Sequence, residues 1–229
     1  MSDSLKVGIT HGDVNGIGYE ILIKTFSDTR ILELCQPVIY GSSRSASWHR
    51  KAFDGETVNF HIISRVEEAQ EGKVNLVNCV KEEIRIEPGT ATAEAGQAAY
   101  MALDQATRDL EKGKIDLLVT LPINKETIQS DLFRFPGHTE FLEERFAQKG
   151  EKAMMILASE MIKVALVTTH LPLSEVPGRL TKEGILEQLK ALDHTLKRDY
   201  LIELPRIAVL GLNPHAGENG LLGKEELEI

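Results

Sequence analysis

Several short segments of this sequence place chemically capable side chains directly after apolar runs. Leu5 to Thr10 runs into His11-Gly12-Asp13 and then Asn15-Gly16-Ile17-Gly18, and Ile115 to Thr120 runs into Leu121-Pro122-Ile123-Asn124-Lys125. Lys163 to Thr169 runs into His170-Leu171-Pro172, and Arg206 to Leu212 into Asn213-Pro214-His215-Ala216-Gly217-Glu218. Imidazole is the commonest metal ligand, and a catalytic zinc site takes three protein ligands and keeps one position open. His170 and His215 each lie close to a proline that stiffens the turn, which leaves two readings: metal ligands, or ordinary loop histidines. Pro136-Gly137-His138-Thr139-Glu140 opens a helical pattern, where a hydroxyl and exposed amides suit an anion. Thr139 also reads as the helix N-cap, a compatible role. Lys125 can hold a phosphate or carboxylate, move protons if burial lowers its pKa, or simply be a solvated lysine. Asp13 can bind a metal or stabilise its turn. Gly12, Gly16 and Gly18 match neither dinucleotide nor P-loop spacing, so they imply no nucleotide site and read equally as a tight turn. His11, His49, His61 and His194 are assigned to surface or packing.

The elements that must position these residues alternate between strand and helix. Strands are expected at Leu5–Thr10, Pro37–Tyr40, Val58–Ile63, Val74–Cys79, Ile115–Thr120, Lys152–Ala158, Lys163–Thr169 and Arg206–Leu212. Helices are expected at Gly18–Ser27, near Ser43–Phe53, at Ala93–Glu111, after Thr139 and at Thr181–Tyr200. Ala95, Ala99, Ala102, Ala106 and Leu110 share one face of the third. Only Ser159 to Ile162 separates the Lys152 and Lys163 strands, too little for a crossover helix, so that pair reads as a hairpin. The rest predicts an α/β protein with a largely parallel sheet, whose ligands bind beyond the carboxyl ends of the strands. Without a linker or repeat, any second domain is interleaved, and no clean boundary is readable within residues 1–229.

The chain has 229 residues, a formal charge of −9 and 42% hydrophobic residues, enough to bury a substantial core. That acidic balance argues against nucleic-acid or membrane-surface partners, which need basic stripes. Cys35 and Cys79 are far apart and suggest a reducing cytoplasm. Neither a secretory leader nor a membrane span is readable. Gly223 to Ile229 opens a charged helical pattern with nothing visible to pack against, and reads as a C-terminally incomplete chain.

Together, Thr10-His11-Gly12-Asp13, Gly16-Ile17-Gly18 with Glu20, Pro122-Ile123-Asn124-Lys125, Pro136-Gly137-His138-Thr139-Glu140, Thr168 to Leu173 and Leu212 to Glu218 resemble the 4-hydroxythreonine-4-phosphate dehydrogenases of pyridoxal phosphate synthesis. The resemblance implies an isocitrate/isopropylmalate dehydrogenase-like fold: two interleaved α/β domains around a cleft, in a homodimer with the active site near the interface. It implies that His138 and Thr139 contact the phosphorylated hydroxy-amino-acid substrate. His170 and His215 would be two of three histidine ligands to a divalent metal, with zinc favoured and magnesium or cobalt as alternatives. Lys125 and Asp13 would take supporting catalytic roles. The cofactor would be NAD or NADP, its binding residues not identifiable. The implied reaction oxidises and decarboxylates 4-phosphooxy-L-threonine to 3-amino-2-oxopropyl phosphate. A paralogue oxidising a phosphorylated four-carbon sugar acid, and an inactive chain that only folds or dimerises, are the rival expectations. The sequence departs from the family in reading Gly-Asp-Val-Asn-Gly for the common Gly-Asp-Pro-Ala-Gly, and Tyr19 for a common proline. The third metal histidine is absent from these 229 residues.

Overall fold

A computed structural model describes residues 4–53, 58–80, 83–148 and 152–229. The chain divides into two units, Met1–Glu151 and Lys152–Ile229.

The first unit is built on five parallel strands in the order β3-β4-β2-β1-β5. They are β1 (Lys6–Thr10), β2 (Gln36–Gly41), β3 (Phe60–Ile63), β4 (Val74–Asn78) and β5 (Leu117–Thr120). Every residue of β2 is buried, as expected of a central strand covered on both faces. Its alternation sends side chains into two cores. Ile39 joins Leu76 and the helix residues Leu22, Ile23 and Phe26, while Val38 and Tyr40 join Val77, Ala102, Ala106 and Ile115.

Helix α1 (Gly18–Phe26) buries Tyr19, Leu22, Ile23 and Phe26, an i, i+3, i+4, i+7 stripe. Burying each of its large aliphatic side chains stabilises the fold by roughly 1.5–3 kcal/mol. Helix α2 (Ser43–Ala52) is capped by Ser42, whose hydroxyl accepts from Ser45 N. Helix α3 (Ala93–Glu111) is capped by Thr92 and buries Ala95, Ala98, Ala99, Ala102 and Ala106. This small-residue face admits close neighbours. A Cβ on Gly96 would stand 1.9 Å from the Thr127 carbonyl oxygen, so the Asn124–Ile128 segment lies directly on α3.

Helix α4 (His138–Phe146) rests on α3 through a cluster of Ala99, Leu103, Ile128, Phe133 and Phe141. Phe133 and Phe141 stack at 5.4 Å, and Arg145 Nη2 donates to Asp104 of α3 at 2.9 Å. The cap of α4 differs from expectation. Gly137 occupies the N-cap with extended backbone and no side-chain cap bond, and Thr139 sits inside the first turn.

In the second unit, β6 (Ile156–Ala158) and β7 (Lys163–Ala165) form the expected hairpin, shortened to three residues each and closed by Ser159 N donating to Ile162 O at 2.9 Å. Helix α5 (Val176–Arg179) precedes α6 (Lys182–Arg198), where Thr181 Oγ1 accepts from Gly184 N. Arg206–Leu212 forms no strand, contrary to the periodicity, because no partner strand meets it among the described residues. Short α7 (Glu225–Glu228) does find something to pack against: Glu225 and Glu226 accept from the Asn213 side chain at 2.7 and 2.9 Å, and Glu226 also accepts from Asn213 N at 2.7 Å. Among the described residues no helix is long and apolar enough to cross a membrane.

Candidate active site

The chain leaves β1 toward β2 on one side and returns to β1's other side as β5, so the strand order reverses between the tips of β1 and β5. That is where open α/β sheets bind ligands. Two of the candidate residues, Asp13 and Lys125, follow those two tips, and Asp13 N donates to Pro122 O at 2.9 Å, binding the tips together.

The β1 loop is held from within. Asn15, 3% exposed, spends its whole amide: Nδ2 donates to Thr90 O at 2.9 Å and Thr92 Oγ1 at 3.2 Å, and Oδ1 accepts from Glu87 N at 2.8 Å. Its backbone N donates to Asp13 Oδ1 at 2.9 Å, and its carbonyl accepts from Gly89 N at 2.8 Å. Asp13 is therefore a turn carboxylate with one oxygen engaged. Gly16 N donates to Asp13 O at 3.0 Å, so the loop amides at 13, 15 and 16 are all used internally. The glycines serve packing: a Cβ on Gly12 would stand 2.3 Å from Pro122 O, and one on Gly18 2.1 Å from His11 O. The loop is a tight turn, not a phosphate cradle.

Beneath it lies an aromatic column. His11 and Tyr19 are 5.5 Å apart between ring centroids, Tyr19 stacks on His49 at 5.1 Å, and Trp48 meets His49 edge-on at 4.8 Å. His49 Nε2 bonds Val14 O at 2.8 Å and His11 Nε2 bonds Ala98 O at 3.3 Å. Burial, reinforced by His49, pushes the His11 pKa down to about 4, and burial lowers His49 as well. Both are neutral packing groups, as expected for His11 and His49. The Tyr19 hydroxyl donates to Ser42 O at 2.9 Å and accepts from Ser42 N at 3.0 Å, so the tyrosine in place of a proline ties α1 to the α2 cap.

The phosphate-type candidates come together within the first unit. Lys125 Cε would lie 3.7 Å from a Cβ on Gly137, at the start of α4. Burial lowers the pKa of His138, and the Lys125 ammonium lowers it further. His138 Nε2 is buried without a hydrogen-bond partner among the described residues. The first amides of α4 have no carbonyl within the helix to bond, and its positive end faces the same spot. A lysine, an imidazole and helix amides converge there, a set suited to phosphate, while the Glu140 carboxylate, whose Oε2 lies 3.6 Å from the same Gly137 Cβ position, opposes an anion. Thr139 is half-buried in that first turn. A concavity of about 400 Å³ that begins at Glu140 of the first turn is lined by Glu140, Glu143 and Glu144 with Phe135, Ala147 and Gln148, and its carboxylates disfavour an anion.

In the second unit, His170 and His215 are exposed, each with left-handed backbone at φ 54° and 52°. Such geometry costs a non-glycine residue about 1–2 kcal/mol and concentrates at functional turns. His215 begins a left-handed run through Asn219, closed by Leu222 N donating to Gly217 O at 3.0 Å. Two imidazoles suit a divalent cation in kind. Among the described residues, however, no group of three His, Cys, Asp or Glu side chains is placed to hold one. The donor set is incomplete. Sequence reasoning passed over Asn15; its signal was a turn-forming side chain able both to donate and to accept.

Residues 33–229 match the family model for the pyridoxal phosphate biosynthetic protein PdxA. The 4-hydroxythreonine-4-phosphate dehydrogenase of Bacteroides thetaiotaomicron is 51% identical over 99% of this chain and 62% of its own length. A putative D-threonate 4-phosphate dehydrogenase of Oceanobacillus iheyensis is 34% identical over 100% of this chain and 68% of its own. The crystal structure of 4-hydroxythreonine-4-phosphate dehydrogenase from Klebsiella pneumoniae superposes with a TM-score of 0.84 at 31% identity, covering 99% of this chain and 68% of that one. The chain thus spans under two thirds of the Bacteroides relative.

Proposed function

The chain belongs to the PdxA family, whose fold is related to that of the isocitrate and isopropylmalate dehydrogenases, and from that membership we propose that it carries phosphate- and metal-binding residues of an NAD-dependent oxidising decarboxylase. Its substrate would be 4-phosphooxy-L-threonine. A bound nicotinamide would accept hydride from the hydroxyl-bearing carbon as the hydroxyl loses its proton, and loss of carbon dioxide from the resulting β-keto acid, with a proton taken up at the carbon that bore it, would leave 3-amino-2-oxopropyl phosphate. The observation that carries this reading is the convergence of Lys125 with His138 on the uncapped start of α4.

In this reading Lys125, His138, Thr139 and the first α4 amides hold the phosphate. Neutral His138 offers hydrogen bonds, and the Lys125 ammonium supplies the charge. Asp13, fixed through one oxygen by Asn15 N, keeps the other to accept a proton at the β1 tip. His170 and His215 supply two ligands of a divalent metal, with zinc favoured by imidazole donors. A bound metal would act as a Lewis acid on substrate oxygen. No residues are assigned to the dinucleotide. Two free cysteines accord with a cytoplasmic enzyme, and a homodimer follows from the family resemblance.

Calorimetric titration of the chain with 4-phosphooxy-L-threonine tests the phosphate site. Lys125→Ala should weaken binding about tenfold, as loss of one charge-assisted contact does, while Lys125→Arg retains most of it; equal affinity of all three proteins would end this assignment. The Oceanobacillus relative supports a second reading, oxidation of D-threonate 4-phosphate. NADH formation on the two substrates separates them, and faster turnover of the sugar acid would favour the second.

A further inference from the structure

Gln129 is exposed, yet its amide nitrogen is used twice. Nε2 donates to Lys125 O at 3.2 Å and to Phe135 O at 2.8 Å. A carboxamide nitrogen carries two N–H donors, so each carbonyl takes one. The two carbonyls belong to the two segments that build the phosphate-type site. One is that of Lys125 itself, and the other lies just ahead of Gly137, the N-cap of α4.

Each segment is anchored separately. Asn124 Oδ1 accepts from Glu126 N at 3.0 Å and from Thr127 N at 3.1 Å, which folds the turn that carries Lys125. The Phe135 ring packs edge-on against Phe133 at 5.4 Å and Phe141 at 5.5 Å, which fixes the approach to α4. The chain between them closes on itself: Ser130 N donates to Phe133 O at 3.1 Å, and Ser130 Oγ accepts from Leu132 N and Phe133 N at 3.3 and 3.1 Å. Ile128 and Phe141 share the core below. On the exposed side, among the described residues, no backbone hydrogen bond joins 124–128 to 135–138, and no backbone N–H reaches the Lys125 or Phe135 carbonyl. The Gln129 amide spans that gap.

We propose that Gln129 is a positioning residue of the phosphate site, setting through its two carbonyl bonds the span between Lys125 and the start of α4. The proposal rests on the reading that this spot holds the substrate phosphate. A lysine ammonium is a hydrated point charge on a flexible stem, so its hold on an anion depends on where the backbone starts that stem. Coulomb attraction falls with distance, and a clamp already closed in the free protein leaves less ordering to be done on binding.

Gln129→Met keeps the length of the side chain and removes both donors, and Gln129→Ala removes the side chain as well. The first readout needs no ligand: NMR titration of the His138 ring, assigned with His138→Gln. The Lys125 ammonium adds to burial in lowering the His138 pKa. A lysine released from its place should therefore let that pKa rise toward its value in Lys125→Ala, the Glu140 carboxylate being common to all these proteins. The second readout is calorimetric titration with 4-phosphooxy-L-threonine, whose affinity should fall about three- to tenfold in both Gln129 variants. Because Gln129 is exposed, the urea midpoint and the amide exchange of β1, β2 and α3 should match the parent's. A His138 titration unmoved in both variants overturns the proposal. So does Gln129→Met matching the parent where Gln129→Ala does not, since bulk and not the amide would then act. A shifted titration with affinity lost only in Lys125→Ala leaves the phosphate reading standing and overturns the positioning role. A shifted titration with affinity unchanged in every variant, Lys125→Ala included, supports the clamp and rejects the phosphate reading.

Discussion

Acid should loosen the first unit through His11, and the size of the effect follows from its burial. The ring is fully buried against Tyr19, with its Nε2 bonded to Ala98 O, and its pKa is lowered to about 4. In the unfolded chain it returns to an ordinary value near 6.5. The unfolded state therefore binds the proton first, so His11's contribution is intact above about pH 6.5 and declines as pH falls toward 4. From those two values the loss at about pH 5 is about 2 kcal/mol, and it approaches about 3 kcal/mol near pH 4. His49, lowered in the same direction by burial, adds to it. The neighbouring Tyr19 phenol, raised by burial, stays neutral throughout. Urea unfolding across this pH range, followed by fluorescence, measures it. Trp48 is the single tryptophan and sits edge-on to His49 at 4.8 Å, so the signal arises at the column itself. His11→Gln keeps a donor for Ala98 O but cannot titrate. It should be less stable than the parent near pH 7.5 through lost packing, by about 1–2 kcal/mol, yet fall less steeply between about pH 6.5 and 5. Parallel curves for parent and variant would refute the reasoning, because carboxylates elsewhere would then account for all the acid sensitivity.

Asn15→Ala should destabilise the first unit by about 1–2 kcal/mol, since it strands the part-buried Glu87 N–H as well as removing side-chain bonds; a urea midpoint unchanged within error contradicts that. Gly96→Ala should cost more, about 3 kcal/mol or above, because the added Cβ lands 1.9 Å from Thr127 O, which is backbone and cannot swing aside. Thermal unfolding reads it, and a melting temperature equal to the parent's would show that α3 and the Asn124–Ile128 segment are not in contact in solution. Replacing both His170 and His215 by Ala should weaken zinc binding at least about tenfold in competition with a chromogenic chelator, with the first unit's unfolding unaffected; undiminished zinc affinity would remove both residues from the metal proposal.

Much of this molecule was legible in local pattern. Strand-length apolar runs and the Ala95–Ala106 stripe predicted β1, β2, β4, β5 and α3 to within a residue or two at most ends, because periodicity reports burial directly. The strand-tip chemistry was legible for the same reason: Asp13 and Lys125 follow runs that had to be strands. Where local signals misled, a non-local partner was responsible. Arg206–Leu212 has strand composition but no ladder among the described residues, and the N-cap of α4 is Gly137 rather than Thr139, with the helix held from its first turn by the Phe133–Phe141 stack.

Composition and spacing by themselves determined the α/β class, the parallel sheet and the set of residues able to grip an anion or a cation. Only the tertiary structure decided that the strand order reverses between β1 and β5, that Lys125 meets His138, that Asn15 locks the β1 turn, and that His11 and His49 are neutral supports rather than chemistry. A side chain's identity states what it can bond. Its partner, its burial and hence its protonation depend on segments tens of residues away, such as Ala98 for His11 and Thr90 for Asn15, and no local pattern encodes that distance.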